Sequence, residues 1–333
     1  MEQIIQEAGL DLHQPTEEAL SRTGSLLKAA GKKGIWLAAP SPIGIDSALD
    51  IDITGFDVFG TREREGRYFR KTAVIVGTRV ESRETFAELL FEPKEKRPKR
   101  PNPPAAQEQD QDDDDPPPNL EMVSRFSVAL RSRLKQMPWR TGTYLVDVLF
   151  DDDVSNRAQF ELTAGKAASK DPAVAAFIEA QKTATGEPKE IYPADGNYEK
   201  TDKSLEIPAA EGIAIAAERV AVYRPDEKNI LRGSYRLPVP AAFYAGETAT
   251  VPITLVITGN LKAGAFVVPL LIPTKDKVTA GEAVSTVTGV FEIDLFAIDR
   301  VPKVPQTYTI RAYSGAVRSE PLKAAFITPE MLK

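Results

Sequence analysis

The sequence offers little side-chain chemistry. It holds one histidine, His13, and no cysteine. Without cysteine there are no disulfides, no thiolate nucleophile and no Cys-based metal site. Without a second histidine there is no zinc site of the His/Cys kind. A Ser-His-Asp triad would have to recruit His13 from a terminal arm, so His13 reads as a surface residue. No GxSxG, Walker A, GxGxxG or HExxH pattern occurs. What remains is carboxylate chemistry. A glycosidase needs only two Asp or Glu residues across a cleft. Glu292 and Asp294 share one side of a strand pattern, alternating with Phe291, Ile293 and Leu295, so the simplest reading is a solvent face. Asp151-Asp-Asp153 sits at a hairpin tip, where it could bind calcium weakly or simply form the turn. The acidic run Asp110–Asp115 lacks the glycine turn and distal glutamate of an EF-hand loop. No catalytic, cofactor or metal residue is assigned, and a non-enzyme is expected.

These residues sit on a pattern written twice. TYLVDVLFDDDVSNRAQFEL (Thr143–Leu162) and TYTIRAYSGAVRSEPLKAAF (Thr307–Phe326) share one layout. Thr143, Tyr144 and Ser155 match Thr307, Tyr308 and Ser319 at one constant spacing. Tyr, Val, Ile and Thr favour a pleated, half-buried surface, and Asp or Gly clusters supply the turn. The second tip reads Ser314-Gly-Ala316, so a metal at the first tip is not a requirement of the fold. Further pairs follow in the same order. FAELLFEP (Phe86–Pro93) answers FVVPLLIP (Phe266–Pro273), and TAVIVG (Thr72–Gly77) answers TLVITG (Thr254–Gly259). Phe126–Leu130 answers Phe291–Leu295, and Asp57–Phe59 answers Ala221–Tyr223. Five ordered matches imply a duplication.

The last hairpin, Tyr308–Gly315 followed by Ser319-Glu-Pro321 and Phe326, resembles that of fibronectin type III and related immunoglobulin-like domains. The resemblance implies a β-sandwich in which a tyrosine near the start of the penultimate strand anchors a corner through its hydroxyl. Tyr308 and Tyr144 would take that role. Neither Trp36 nor Trp139 fits the early-strand tryptophan of that family.

The expected fold is mainly β: two tandem immunoglobulin-like sandwiches. Residues 1–31 read as a helical arm, with Thr16 as cap, Glu17 and Glu18 in the first turn, Leu20, Leu26 and Leu27 on one face, and Gly31 as the stop. Gly24 works against that helix. Residues 32–165 form the first sandwich, with strands expected at 35–38, 49–59, 68–76, 85–91, 124–134, 143–150 and 158–162. Lys94–Asn119 interrupts it with a proline-rich, charged, aromatic-free insertion that cannot bury enough apolar surface to order itself. Residues 166–204 read as a linker whose helix starts at Asp171-Pro172 and stops near Gly186. Residues 205–333 form the second sandwich, with strands expected at 213–223, 231–239, 250–257, 265–272, 287–296, 307–313 and 322–327. Pro238, Pro252 and Pro269 mark strand edges, starts or bulges, because proline cannot donate to a ladder.

A net charge of −6 gives no general attraction to nucleic acid or anionic lipid. No apolar run is long enough to span a bilayer. The N-terminus lacks the basic and apolar regions of a signal peptide, which gives a cytoplasmic expectation. The expected role is protein binding or scaffolding, with a protein partner, no nucleic acid, and a homo-oligomer possible. A structural subunit of a larger assembly, or a carbohydrate- or calcium-dependent module, are the alternatives.

Overall fold

The structure, a computed structural model, describes residues 1–45, 50–60, 73–91, 121–150, 153–164, 205–224, 227–245, 248–259, 265–274 and 283–332, with short pieces at 176 and 195–196. The chain is mainly β. The expected insertion at Lys94–Asn119 and the expected helix after Asp171 lie outside the described residues, as do Asp151 and Asp152.

Two groups of sheets follow one plan. In the first, β1 (Gly34–Ala38), β3 (Asp52–Gly60) and β6 (Glu121–Ala129) form one sheet in the order β1-β3-β6. β2 (Ile43–Gly44), β4 (Ala73–Arg79), β5 (Thr85–Phe91), β7 (Gly142–Phe150) and β9 (Ala158–Thr163) form the other, in the order β2-β9-β7-β4-β5, with β8 (Asp153–Val154) on β7. The second group repeats this. β11 (Gly212–Ala216), β13 (Ile230–Pro240) and β17 (Val284–Asp294) form one sheet, to which β10 (Asp195–Gly196) adds at the β17 edge. β12 (Val220–Val222), β15 (Thr248–Gly259), β16 (Ala265–Pro273), β18 (Gln306–Ser314) and β20 (Leu322–Ile327) form the other. β14 (Tyr244–Ala245) is appended to β15, and β19 (Val317–Arg318) to β18. β2 pairs parallel with β9, and β12 pairs parallel with β20.

Each pair of sheets encloses its own core. In the first, Ile53, Ile75, Val146, Trp139 and Phe160 are buried together; in the second, Leu231, Leu255, Val268, Phe291 and Ile310 are. The two-residue period of a strand puts these on the inward face.

Pairing registers identify equivalent residues. Gly77 lies opposite Phe86 and Val146, and Ile257 lies opposite Phe266 and Ile310. The FAELLFEP match therefore holds, whereas TAVIVG and TLVITG are two residues out of register; Gly77 answers Ile257, not Gly259. A slip of two keeps the same face inward, so the sequence pattern alone could not detect it. Asp57–Phe59 does not answer Ala221–Tyr223 either. The first lies on β3, whose counterpart is β13; the second begins on β12, the counterpart of β2. The expected single strand 213–223 is two strands in different sheets, and the tail of the expected strand 124–134 is a short helix, Leu130–Arg133.

The arm contains two helices, α1 (Glu2–Ala8) and α2 (Glu17–Ala29). Thr16 accepts from the Ala19 amide at 3.3 Å, the expected cap. Gly24 has a use: a Cβ there would sit 3.2 Å from Val123, so glycine lets α2 lie close on β6. Ala19 and Leu27 from α2 meet Phe56 and Val58, with Leu20, Leu26 and Val123 packed around them. The three prolines sit as expected. Each lies where one side of its strand carries no described ladder: Pro238 beyond the ladder with β11, Pro252 beyond the ladder with the C-terminal end of β18, and Pro269 on β16.

Candidate functional site

Both expected anchor tyrosines are buried, and their hydroxyls reach back to the chain before the strand. Tyr308 Oη donates to the Pro302 carbonyl. Tyr144 Oη donates to the Arg140 carbonyl at 2.7 Å and lies 3.3 Å from that of Pro138, while accepting from the Arg140 amide at 2.8 Å. Trp139 packs at 5.2 Å on Tyr144, which stacks on Phe160 at 5.4 Å. Burial pushes both phenol pKa values up, so the hydroxyls remain donors. The matched serines also work identically. Ser155 Oγ accepts from the Val148 amide, and Ser319 Oγ accepts from the Ala312 amide, both at 2.9 Å. Each returns its own amide to the same residue's carbonyl, which locks the hairpin.

The two sheet groups meet face to face through their second sheets. Val74, Val76, Ala87 and Leu149 of the first pack with Val256 and Tyr313 of the second. The register makes Val76 and Val256 equivalents, and Leu149 and Tyr313 equivalents. The contact is thus two matching faces laid on each other. At its centre lies Asp147, whose side chain is 3% exposed. Arg157 Nη2 donates to it at 2.8 Å, and Arg318 Nη1, from the other sheet group, at 2.6 Å. Arg157 also donates to the Ala316 carbonyl. At the β4–β5 turn Arg83, itself in the left-handed region, donates to Ser314 Oγ at 2.9 Å. Asp147 therefore ties together residues from both halves of the chain, and its position in the repeat is held by Arg311 in the second half. Burial, with Asp147 as the next cause, raises the Tyr313 pKa.

The carboxylates singled out in the sequence are not gathered. Glu292 pairs with Arg232 at 2.7 Å. Asp294 caps a turn, accepting from the amides of Asn229 and Phe296 at 3.0 Å each. Asp153 is exposed at the hairpin tip. His13 is exposed and borders a cleft of about 620 Å³ between the arm and the first sheet, together with Glu17, Asp50, Asp52 and Arg125. Glu17 is engaged by Arg125 at 2.9 Å, and Asp50 accepts from the Arg131 and Ser132 amides. Among the described residues no group of three or more His, Cys, Asp or Glu side chains is placed to hold a metal ion. No described helix is long and apolar enough to cross a membrane.

One difference between the halves concerns a strand edge. β17 carries β13 on one side and β10 on the other, antiparallel at Phe291 and Glu292. Its counterpart β6 carries β3, and no second described strand. Sequence reading missed this asymmetry, because β10 is only two residues long and comes from the linker.

Compared with known proteins, the sequence matches no family model and no curated protein.

Proposed function

We propose that the chain is a non-enzymatic binding protein made of two immunoglobulin-like sandwiches, and that its protein partner adds a strand along β6. The strand neighbours in each half, with an early strand in each sheet and the last strand paired parallel to the second of these, support the immunoglobulin-like assignment. So do the two tyrosine hydroxyls bonded to carbonyls upstream. The observation that carries the binding mode is the contrast, among the described residues, between β17, with strands on both sides, and β6, whose described neighbour is β3. Main-chain bonds to an added strand give affinity, and alternate side chains give selectivity. The matching sheet faces are spent on each other, which leaves edges and loops for recognition.

The test begins with affinity co-purification of the full-length chain beside a variant lacking Lys94–Asn119. Hydrogen exchange on the reconstituted complex follows. Slowed exchange of the Glu121–Ala129 amides on adding the captured protein is the expected result. Protection confined to other segments overturns the strand-addition mode. Capture of the chain itself alone, with a concentration-dependent mass in sedimentation, would replace the binding role by that of a structural subunit.

A further inference from the structure

The cleft between the arm and the first sheet has a floor unlike the same place in the second half. β3 and β13 run in matched register: Gly55 lies opposite Phe126, as Gly233 lies opposite Phe291. One residue earlier, Thr54 lies opposite Ser127, and its equivalent Arg232 lies opposite Glu292, joined to it at 2.7 Å. Asp52 answers Ile230. Arg125 answers the smaller Val290, but it is turned to Glu17 on the arm at 2.9 Å. The second face thus closes its charges on one another across the strands. The first carries a short neutral pair with a carboxylate beside it.

Three carboxylates border this cleft, and two are engaged. Glu17 is held by Arg125, and Asp50 accepts from the amides of Ile51, Arg131 and Ser132. Among the described residues no hydrogen bond or ion pair engages the side chains of Asp52, Thr54 or Ser127. Burial, and then the like charge of Asp50, raise the Asp52 pKa, so a cation placed beside it would relieve both carboxylates. The cleft measures about 620 Å³, within the range of about 300–1,000 Å³ usual for small-molecule sites. Its apolar lining includes Leu12 and Leu20 from the arm, with Pro40 and Ile43 from the chain around β2. Sites for small molecules combine such apolar walls with a few convergent polar groups.

We infer that this cleft binds a small organic amine, with its ammonium group on Asp52, Thr54 and Ser127 and its apolar body along the arm. An ammonium group has three donors and no acceptor, and the floor offers it a carboxylate and two hydroxyl oxygens. A carboxylate ligand would meet Asp50 and Asp52 and be repelled. An alcohol of the same shape would keep the apolar contacts and lose the charge. The site is separate from strand addition at the β6 edge: it uses side chains of the outer face and needs no protein partner, so either reading can fail alone.

The probe is 4-fluorophenethylamine, followed by fluorine NMR with the full-length chain at about pH 8, where an unperturbed imidazole is neutral. The neutral control is 2-(4-fluorophenyl)ethanol, and the anionic control is 3-(4-fluorophenyl)propanoate. Saturable binding of the amine, binding of the alcohol weaker by roughly tenfold or more, and no binding of the propanoate are expected. The melting temperature should rise with amine concentration. Asp52→Asn keeps the shape of the floor and removes its charge, and should weaken amine binding by roughly tenfold or more. Thr54→Arg combined with Ser127→Glu installs the pair of the second half and should abolish binding. If that double variant melts non-cooperatively, Asp52→Asn decides alone. No saturable amine binding to the wild-type chain overturns the proposal. So does equal binding of the alcohol. So does unchanged amine affinity in Asp52→Asn, which would leave only a general attraction to a chain of net charge −6.

Discussion

The outer faces of the two first sheets occupy the same place in the repeat and are covered in opposite ways. On the first, Trp36, Phe56, Val58 and Val123 face outward, and the helical arm lies over them. On the second, the matching positions hold Ala214, Ser234, Arg236 and Thr288. An extended stretch of chain covers that face and is held by hydrogen bonds. Ser234 Oγ donates to the Glu206 carbonyl and Arg236 Nε to that of Pro208, both at 2.7 Å. One pattern of inward residues therefore builds both cores, while the outward residues decide the cover. Apolar outward residues recruit an amphipathic helix; polar ones recruit a backbone whose carbonyls need donors. The inner contact between the halves shows the same freedom, with Asp147 and Arg311 at equivalent positions.

The largest effect is expected at that inner contact. Asp147→Ala leaves Arg157 and Arg318 without their shared carboxylate in a mostly buried place, and breaking such a pair costs about 3–5 kcal/mol. Calorimetry should then show two transitions where a single one is expected of the wild-type chain, because the change strikes the tie between the halves. A single transition shifted by less than a degree would mean the two faces hold without it. Next comes the arm. Leu27 is fully buried against the first sheet, so Leu27→Ala should cost about 2–4 kcal/mol in urea unfolding. The matching test on the second face, Ser234→Ala, removes one hydrogen bond and should cost about 1 kcal/mol.

A smaller effect sharpens the comparison of the cores. A Cβ at Gly233 would lie 2.0 Å from the Phe291 ring, and one at Gly55 would lie 2.2 Å from Phe126. The crowding is alike, but Phe291 is fully buried and Phe126 only partly. Gly233→Ala should therefore cost about 1–3 kcal/mol as overpacking, and Gly55→Ala clearly less, because Phe126 has room to turn. Equal costs would mean Phe126 is held as firmly as Phe291.

The strands and the duplication were legible in the sequence because both rest on local pattern: alternation, turn residues, and the Thr-Tyr and Ser positions of the hairpins. The capping of α2 by Thr16 was legible for the same reason. Three features were not. The split of 213–223 into two strands depends on which sheet each half joins, a long-range choice. The contact between halves had a local sign, since TAVIVG and TYLVDVLF are near-continuous apolar runs, as strands buried on both faces require. Asp147 within such a run was the clue to a buried ion pair. The contrast between Thr54 with Ser127 and Arg232 with Glu292 emerges only when β3 is matched with β13, and the sequence matches had pointed β3 at β12.

The smallest effect concerns the outer face of the first sheet alone, where Asp50 and Asp52 are near neighbours while the second face has the paired Arg232 and Glu292. Burial, and then the charge of Asp50, raise the Asp52 pKa above its ordinary value. Between the unfolded and the raised folded value the native state binds more protons than the unfolded one. Stability attributable to Asp52 therefore falls as pH rises through that window, and the penalty is fully present above it. Asp52→Asn should raise the melting temperature slightly at neutral pH, with the gain vanishing below the ordinary carboxylate range. Because Asp52 is exposed, the part due to Asp50 should shrink in high salt, leaving the part due to burial. A gain that persists at low pH would assign the effect to packing in the cleft beneath the arm, and not to charge.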